Sequence, residues 1–290
     1  MDSLKLALDL AEQALKAPAK SLREVNSNAD RDLFVADWSA FIRIYKRKVP
    51  ELNPWMVNEY QFYRQIIDKK YPVPVPEIGI YHPQGHKLER YVAHDEMLNK
   101  KTLLETRLEI DSILFSVSLL HAAPFVDYPF LPLERFRYFQ KRAKAALPES
   151  FENEILLKSK QIFDSFPLVA CHNHLKRSHL AQTEEIVYLM DLSSVGLNVG
   201  LFDVASLVAE NNLDSSMARY CLQTYNRLDQ NNSYTYEELD TLVAFAQAYY
   251  YYYYRCKNLR LNDSRTAKLA EMYKRAFLMR FEASIMEDAE

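Results

Sequence analysis

Three neighbouring stretches decide the fold of this chain: CHNHLKRSHL at residues 171–180, IVYLMD at 186–191 and LFDVASL at 201–207. The first stretch follows the apolar run Pro167–Cys171 and is rich in histidine, and the second is an apolar run that ends in Asp191. Short apolar runs bounded by polar residues are typical of buried strands, whereas the third stretch begins a helical pattern. The order therefore predicts a strand, a polar loop, a second strand and a helix.

The first third of the chain is predicted to be a mixed α/β region. Apolar residues at helical spacing within residues 3–16 predict a helix. Phe34–Trp38 and Ala40–Tyr45 are short runs rich in β-branched and aromatic residues, and they predict a hairpin. Lys87–Ala93 has the same character and predicts a further strand.

The rest of the chain is predicted to be mostly helical. A long apolar-periodic helix is predicted over Leu103–His121, and helical patterns return after residue 201. We therefore predict an α+β protein with two lobes. The small mixed lobe comprises residues 1–97 and the larger helical lobe comprises residues 98–290.

The composition excludes several classes of protein. The chain has 290 residues, of which 49% are hydrophobic and 26% charged, and a net charge of −3, so no basic excess indicates a nucleic-acid partner. Its three cysteines are far apart in sequence, which argues against a disulfide framework or a cysteine zinc site. The uncharged stretch Thr241–Tyr254 is too short to span a bilayer as a helix, so we expect a cytoplasmic protein without a membrane span.

The order and spacing of the three stretches resemble the choline and ethanolamine kinases, which are relatives of the aminoglycoside phosphotransferases. In that family the pattern is roughly H-N-D-L-x-x-x-N, then a strand ending in I-D-W-E, and then a D-L-A helix. A weaker similarity extends over residues 25–255. The resemblance implies a protein-kinase-like fold with an N-terminal nucleotide lobe and a helical lobe that carries the catalytic loop and the acceptor site.

The resemblance also implies roles for residues of the transfer site. His174 stands at the position of the catalytic aspartate and His179 at that of a metal-binding asparagine, whereas Asp191 matches the second metal-binding aspartate. His172 is implied to be a structural, hydrogen-bonding residue beside the catalytic position. Phosphoryl transfer depends on positioning and charge neutralisation, and magnesium prefers oxygen ligands to imidazole. The transfer site is therefore altered in two of its three central parts.

The resemblance assigns the nucleotide and acceptor sites as well. Arg43 is implied to face phosphate and Glu59 to pair with it, and a plain ion pair without nucleotide is the alternative. The phosphate loop would lie at residues 25–32, which contain no glycine and two aspartates. Tyr251 and Tyr254 fall near the positions that form an aromatic cage for a quaternary ammonium, and packing is the alternative for them.

Two further residues have simpler expectations. Asp203, in the D-L-A position, is expected to be structural and to accept hydrogen bonds from the backbone of the catalytic loop. His121 is isolated in the sequence and is expected to need no special role.

Three hypotheses follow for the function. The first is a pseudokinase that acts by binding or regulation, with a nucleotide, a small amino alcohol or a protein as partner. The second is an active ATP-dependent kinase for choline or another amino alcohol, with His174 as base and Asp191 as the main magnesium ligand. The third is a module that binds zinc or nickel through His172, His174 and His179.

Overall fold

The computed structural model describes residues 106–287 except 125, 183–185 and 230, together with shorter stretches before residue 106. Those earlier stretches are residues 5, 7–9, 12, 18, 20–27, 31–36, 40–45, 59, 62, 65–66, 68–75, 78–84 and 87–93. Residues 5, 7–9 and 12 are helical, so the part of the predicted helix over 3–16 that the structure describes agrees with the prediction.

The chain forms two compact units. The first contains residues 1–105 together with 178–195, and the second contains residues 106–177 together with 196–290. The sequence assigned residues 178–195 to the helical lobe, whereas in the structure this segment groups with the first unit.

The first unit contains a five-stranded antiparallel sheet in the order β1-β2-β3-β5-β4. Its strands are β1 Leu22–Ser27, β2 Arg31–Ala36, β3 Ala40–Tyr45, β4 Ile78–Gln84 and β5 Lys87–Ala93. The predicted hairpin is β2 and β3, in which Phe34 lies opposite Ile42. Strand β1 was not predicted. It contains residues 25–27 of the proposed phosphate loop, β2 contains residues 31–32, and residues 28–30 lie outside the described residues.

A second, two-stranded sheet in this unit positions two of the candidate residues. Strand β7 (Leu180–Gln182) pairs with β8 (Val187–Leu189), which is the predicted apolar strand. The Met190 backbone N–H donates to the His179 carbonyl over 2.8 Å, so the residues that flank the two strands are held side by side.

The second unit is built from helices with one short strand pair. Its elements are α1 Arg107–His121, α2 Pro132–Arg142, α3 Glu149–Ser165, β6 Leu168–Cys171, β9 Gly196–Val199, α4 Leu201–Asn211, α5 Ser215–Leu228, α6 Tyr236–Leu261 and α7 Ser264–Glu287. The predicted helix over Leu103–His121 begins at Arg107 because Thr106 caps it: the Thr106 hydroxyl accepts from Glu109 N–H while the Glu109 carboxylate accepts from Thr106 N–H. Thr235 and Glu238 begin α6 in the same way.

Helix α6 lies at the centre of the second unit and packs against α2, α3, α4, α5 and α7. Its run of six tyrosines is therefore almost entirely internal. Tyr249, Tyr250, Tyr251, Tyr252 and Tyr254 are each at most 4% exposed. A helix with neighbours all around buries side chains on every face, which explains why the run shows no apolar stripe. Within the described part of the chain, no helix has both the length and the apolar composition needed to cross a membrane.

Candidate active site

The histidine-rich loop that follows β6 is held by a carboxylate from α4. The fully buried Asp203 accepts hydrogen bonds from the backbone N–H groups of His172, at 2.8 Å, and Asn173, at 2.6 Å. The structural role expected for Asp203 is therefore observed. A carboxylate that accepts two backbone N–H groups fixes the path of the loop where the candidate catalytic residue leaves it.

His121 contributes to the same anchor, so the expectation that it needs no special role is wrong. Its Nε2 lies 3.0 Å from Oδ2 of Asp203, the oxygen that also accepts from His172 N–H, and its Nδ1 lies 2.8 Å from the Tyr225 hydroxyl. Because both Asp203 oxygens already act as acceptors, Nε2 is the donor to Asp203, and in the neutral imidazole Nδ1 accepts from the Tyr225 hydroxyl. Gly200 allows this packing, since a Cβ there would lie 2.1 Å from the Tyr225 hydroxyl oxygen.

A chain of hydroxyl groups holds the next part of the loop. The Leu175 N–H donates to Ser206 Oγ over 2.9 Å, and the Tyr250 hydroxyl donates to the Asn173 carbonyl over 3.0 Å. Ser206 and Tyr250 are 2.7 Å apart, and since Tyr250 gives its proton to Asn173, Ser206 is the donor between them. Asn173 itself has a left-handed φ of 62°, a conformation that asparagine tolerates better than most residues.

His174 points from this loop into a buried ion pair. Its Nε2 lies 2.9 Å from Oε1 of Glu210 on α4, and the two side chains are 8% and 2% exposed. The imidazole stacks on the ring of Tyr250 at a centroid distance of 5.2 Å, and the Tyr254 hydroxyl lies 3.4 Å from its Nε2. The His174 side chain is therefore fixed by contacts on its ring face and on one ring nitrogen.

The surroundings of Glu210 keep its carboxyl group ionised. Burial alone would raise the pKa of Glu210, but His174 and Lys176 outweigh burial and lower it below the ordinary value. The Tyr273 hydroxyl donates to the other Glu210 oxygen over 2.5 Å. Burial raises the pKa of Tyr273 most, and the nearby negative charge of Glu210 raises it further. This hydroxyl therefore stays protonated and acts as a donor.

In the first unit, His179 and Asp191 lie beside each other. Their Nε2 and Oδ2 atoms are 3.5 Å apart, and both side chains are largely buried. Magnesium, which the resemblance implies for these positions, prefers an octahedral shell of oxygen atoms. One imidazole nitrogen and one carboxylate do not fit that preference, and the carboxylate instead has a nitrogen partner within ion-pair distance.

A further set of metal-binding atom types lies in the second unit at His121, Cys171 and Asp203, within 4.8 Å of one another. Each of these atoms has a partner inside the protein: the Cys171 thiol contacts the Asn198 carbonyl at 3.5 Å, and the other two residues form the anchor of the loop. Burial raises the pKa of the Cys171 thiol well above its ordinary value, so the thiolate that a metal would need is disfavoured.

The remaining predicted site residues lie as follows. Arg43 is in β3, opposite Leu33 and Arg90, and its side chain lies outside the described parts of the structure. Glu59 is helical and fully buried. The pairing of Arg43 with Glu59 stays a prediction.

The two predicted cage tyrosines differ in their surroundings. Tyr254 stacks on Tyr273 at 5.5 Å, and Lys176 Nζ lies 5.9 Å from the centre of the Tyr254 ring. The face of that ring is thus already near a cation of the protein itself. Tyr251 is buried beside Tyr252 at 5.0 Å. Their role in binding a substrate stays a prediction.

Comparison with known proteins identifies the fold to which this site belongs. The crystal structure of choline kinase LicA from Streptococcus pneumoniae matches with a TM-score of 0.74 at 13% identity, covering 96% of this chain and 100% of LicA. The chain has the choline-kinase fold. A structure of LicA in complex with AMP matches with a TM-score of 0.71 at 14% identity, covering 96% of this chain and 99% of that protein. Aminoglycoside phosphotransferases share the fold too, as the sequence resemblance implied.

The sequence relatives agree with the choline-kinase fold. Protein LicA of Haemophilus influenzae is 26% identical over 185 residues, which is 61% of this chain and 52% of that protein. The same protein of the Rd strain matches at 26% over 66% of its length. The chain thus spans about half to two thirds of the curated relatives that it matches. No protein-family model matches the chain.

Sequence reasoning missed three residues that shape this site, although a signal exists for two of them. Ser206 and Glu210 lie on α4 at three and seven positions after Asp203, in a helix that is otherwise mostly apolar. Residues at that spacing lie along one face of a helix, and Asp203, Ser206 and Glu210 all contact the histidine-rich loop. Tyr273 lies on another helix, and no local pattern marks it.

The substitution Glu210→Gln should change how stability depends on acid. Because the pKa of Glu210 is lowered in the folded state, its contribution is present above the unfolded value of about 4.5 and is lost as pH falls through the folded pKa. The wild type should therefore be more stable than the variant at pH 7, and the difference should narrow below about pH 4.5. Thermal unfolding from pH 7 to pH 3 measures this, and a constant difference would show that folding does not lower the pKa of Glu210.

Proposed function

We propose that the protein is a pseudokinase with the choline-kinase fold, which binds a ligand or a partner without transferring phosphate. One observation carries the proposal: the residue at the catalytic position is an imidazole whose Nε2 faces the buried carboxylate of Glu210. In the family pattern this position needs a carboxylate that takes the proton of the acceptor hydroxyl. His174 is engaged in a different interaction, and its side chain is 8% exposed.

The two residues at the predicted metal-binding positions, His179 and Asp191, support the same proposal. Transfer from ATP requires magnesium to bridge the phosphates and neutralise the developing charge. The family pattern has two oxygen ligands for the metal, an asparagine and an aspartate. Only the aspartate remains here, as Asp191, and it lies 3.5 Å from the imidazole of His179. The donor set does not fit magnesium, so we assign no step to the metal here.

Two classes of ligand are consistent with the retained fold. A nucleotide is one of them, since the matching LicA structure is a complex with AMP. A small amino alcohol such as choline is the other, because the S. pneumoniae relative is described as a choline kinase. Regulation of a protein partner is a third role open to a pseudokinase, because a fold does not by itself fix a function.

One observation favours the second hypothesis, an active kinase that uses His174 as its base. A histidine held by a carboxylate is the arrangement that activates general bases in many enzymes, and Glu210 holds His174 in this way. In such an enzyme the Nδ1 atom of His174 would take the proton. Transfer that depends on Asp191 separates this enzyme from a pseudokinase.

The geometry argues against the third hypothesis, a zinc or nickel site at His172, His174 and His179. The side chain of His172 is fully buried, which favours its structural role. The Nε2 atom of His174 faces Glu210, and that of His179 faces Asp191. These contacts use ligand atoms that such a metal would need.

Binding of ATP is expected to be independent of magnesium. Because the metal positions pair with each other, adding magnesium should leave the shift in melting temperature caused by ATP unchanged to within about 1 °C. A thermal-shift titration of ATP with and without magnesium measures this, with Asp191→Asn as the matched variant. A shift that appears only with magnesium and is lost in Asp191→Asn would contradict the proposal.

A further inference from the structure

The pair formed by Glu210 and His174 is enclosed on several sides. Glu210 Oε1 lies 2.9 Å from His174 Nε2, and the other oxygen accepts from the Tyr273 hydroxyl at 2.5 Å. Tyr250 stacks on one face of the imidazole, and the ring of Tyr253 meets it edge-on at 5.7 Å. The position occupied by His174 is thus defined by one carboxylate and by aromatic rings.

The charges around this position come from several elements. Lys176 lies in the same loop as His174, Tyr250 and Tyr254 come from α6, and Tyr273 comes from α7. Burial raises the pKa of Tyr250 and Tyr254 well above the ordinary value, so these tyrosines are neutral at pH 7. Glu210 is the negative group at this position, and its positive neighbours are His174 and Lys176.

We infer that Glu210 is the positioning residue for position 174, and that it accepts an imidazole there but excludes a carboxylate. The inference rests on the proposed function, in which position 174 corresponds to the catalytic aspartate of the family. It follows that His174→Asp cannot rebuild a catalytic site alone. Glu210 has to be neutralised in the same molecule.

The physical reason is the repulsion of two buried carboxylates. An aspartate at position 174 would remove the nearest cation of Glu210 and add a second negative charge in the same enclosed space. Two carboxylates that share a desolvated site cannot both ionise without a large penalty. The pKa of Glu210 is lowered in the native pair although burial alone would raise it, so its charge depends on His174 and Lys176.

Four variants of nearly equal shape test the inference. They are His174→Asp and His174→Asn, each alone and each combined with Glu210→Gln. With Glu210 present, His174→Asp should melt about 8 °C below His174→Asn at pH 7. With Glu210→Gln, that difference in melting temperature should fall below about 2 °C, because an aspartate at position 174 then has no neighbouring carboxylate to repel it.

The opposite results would overturn the inference. Equal melting temperatures of His174→Asp and His174→Asn with Glu210 present would do so, and so would a difference that is the same in both backgrounds. If His174→Asp does not fold, recovery of folded protein on adding Glu210→Gln supports the inference. Failure of that double variant to fold, while His174→Asn with Glu210→Gln folds, overturns it. Turnover by the wild type would instead overturn the proposed function and leave this comparison unchanged.

Discussion

Asp203→Ala is expected to lower the free energy of unfolding by about 3–5 kcal/mol. The substitution removes a buried carboxylate that accepts from the His172 and Asn173 backbone and faces His121. These donors would stay buried without an acceptor, and each such loss costs about 1–3 kcal/mol. Typical domains are stable by only about 5–15 kcal/mol, so the variant should be close to unfolding at 37 °C.

Two other substitutions calibrate this expectation. Asp164→Ala removes an exposed carboxylate that pairs with Lys160 one helical turn away, which should cost about 0.5 kcal/mol or less. Asp203→Asn keeps one acceptor oxygen and should fall between the two alanine variants. Urea denaturation followed by circular dichroism measures all three. A loss for Asp203→Ala as small as that for Asp164→Ala would show that the loop does not depend on this anchor.

Tyr250→Ala should be comparably damaging, with an expected loss of about 3–5 kcal/mol. The side chain is 1% exposed, so its removal leaves a cavity between the histidine-rich loop and α6. Its hydroxyl links Ser206 to the Asn173 carbonyl, and its ring supports His174. Tyr250→Phe keeps the ring and loses only the hydroxyl bonds, so it should cost about 1–2 kcal/mol.

The neighbouring helix positions provide the control. Tyr253→Ala changes the same residue type three positions along α6, where the side chain is only partly buried. The intrinsic helix propensity changes equally in both variants, so the excess loss of Tyr250→Ala reports its deeper burial and the hydrogen bonds of its hydroxyl. Equal denaturant midpoints of the two variants would contradict the packing described for the tyrosine run.

Much of the fold could be predicted because its signals are local. The hairpin of β2 and β3 and the long helix α1 follow from residue periodicity, and the resemblance of residues 171–207 to the kinase pattern identified the fold class that the structural matches confirm. Strand β1 was missed because its polar residues resemble a loop more than a strand. The central place of α6 has no periodic signal, since a helix buried on all sides has no apolar stripe.

The candidate site could be predicted only in part. The role of Asp203 followed from its place in the family pattern, whereas the role of His121 did not, because its partner lies 82 residues away. Likewise, the family pattern singled out His174 as a candidate residue but gave no sign of Glu210 as its partner. A buried ion pair between a loop and a later helix depends on tertiary packing, which residue spacing alone does not specify.

A phosphoryl-transfer assay tests the pseudokinase proposal most directly. Purified protein would be incubated with γ-labelled ATP and magnesium, with choline, ethanolamine or an aminoglycoside as acceptor, beside Asp191→Ala prepared in the same way. Because His174 is paired with Glu210 and His179 with Asp191, we expect no labelled product above the level of the variant. Labelled product from the wild type that disappears in Asp191→Ala would contradict the proposal and establish an active kinase.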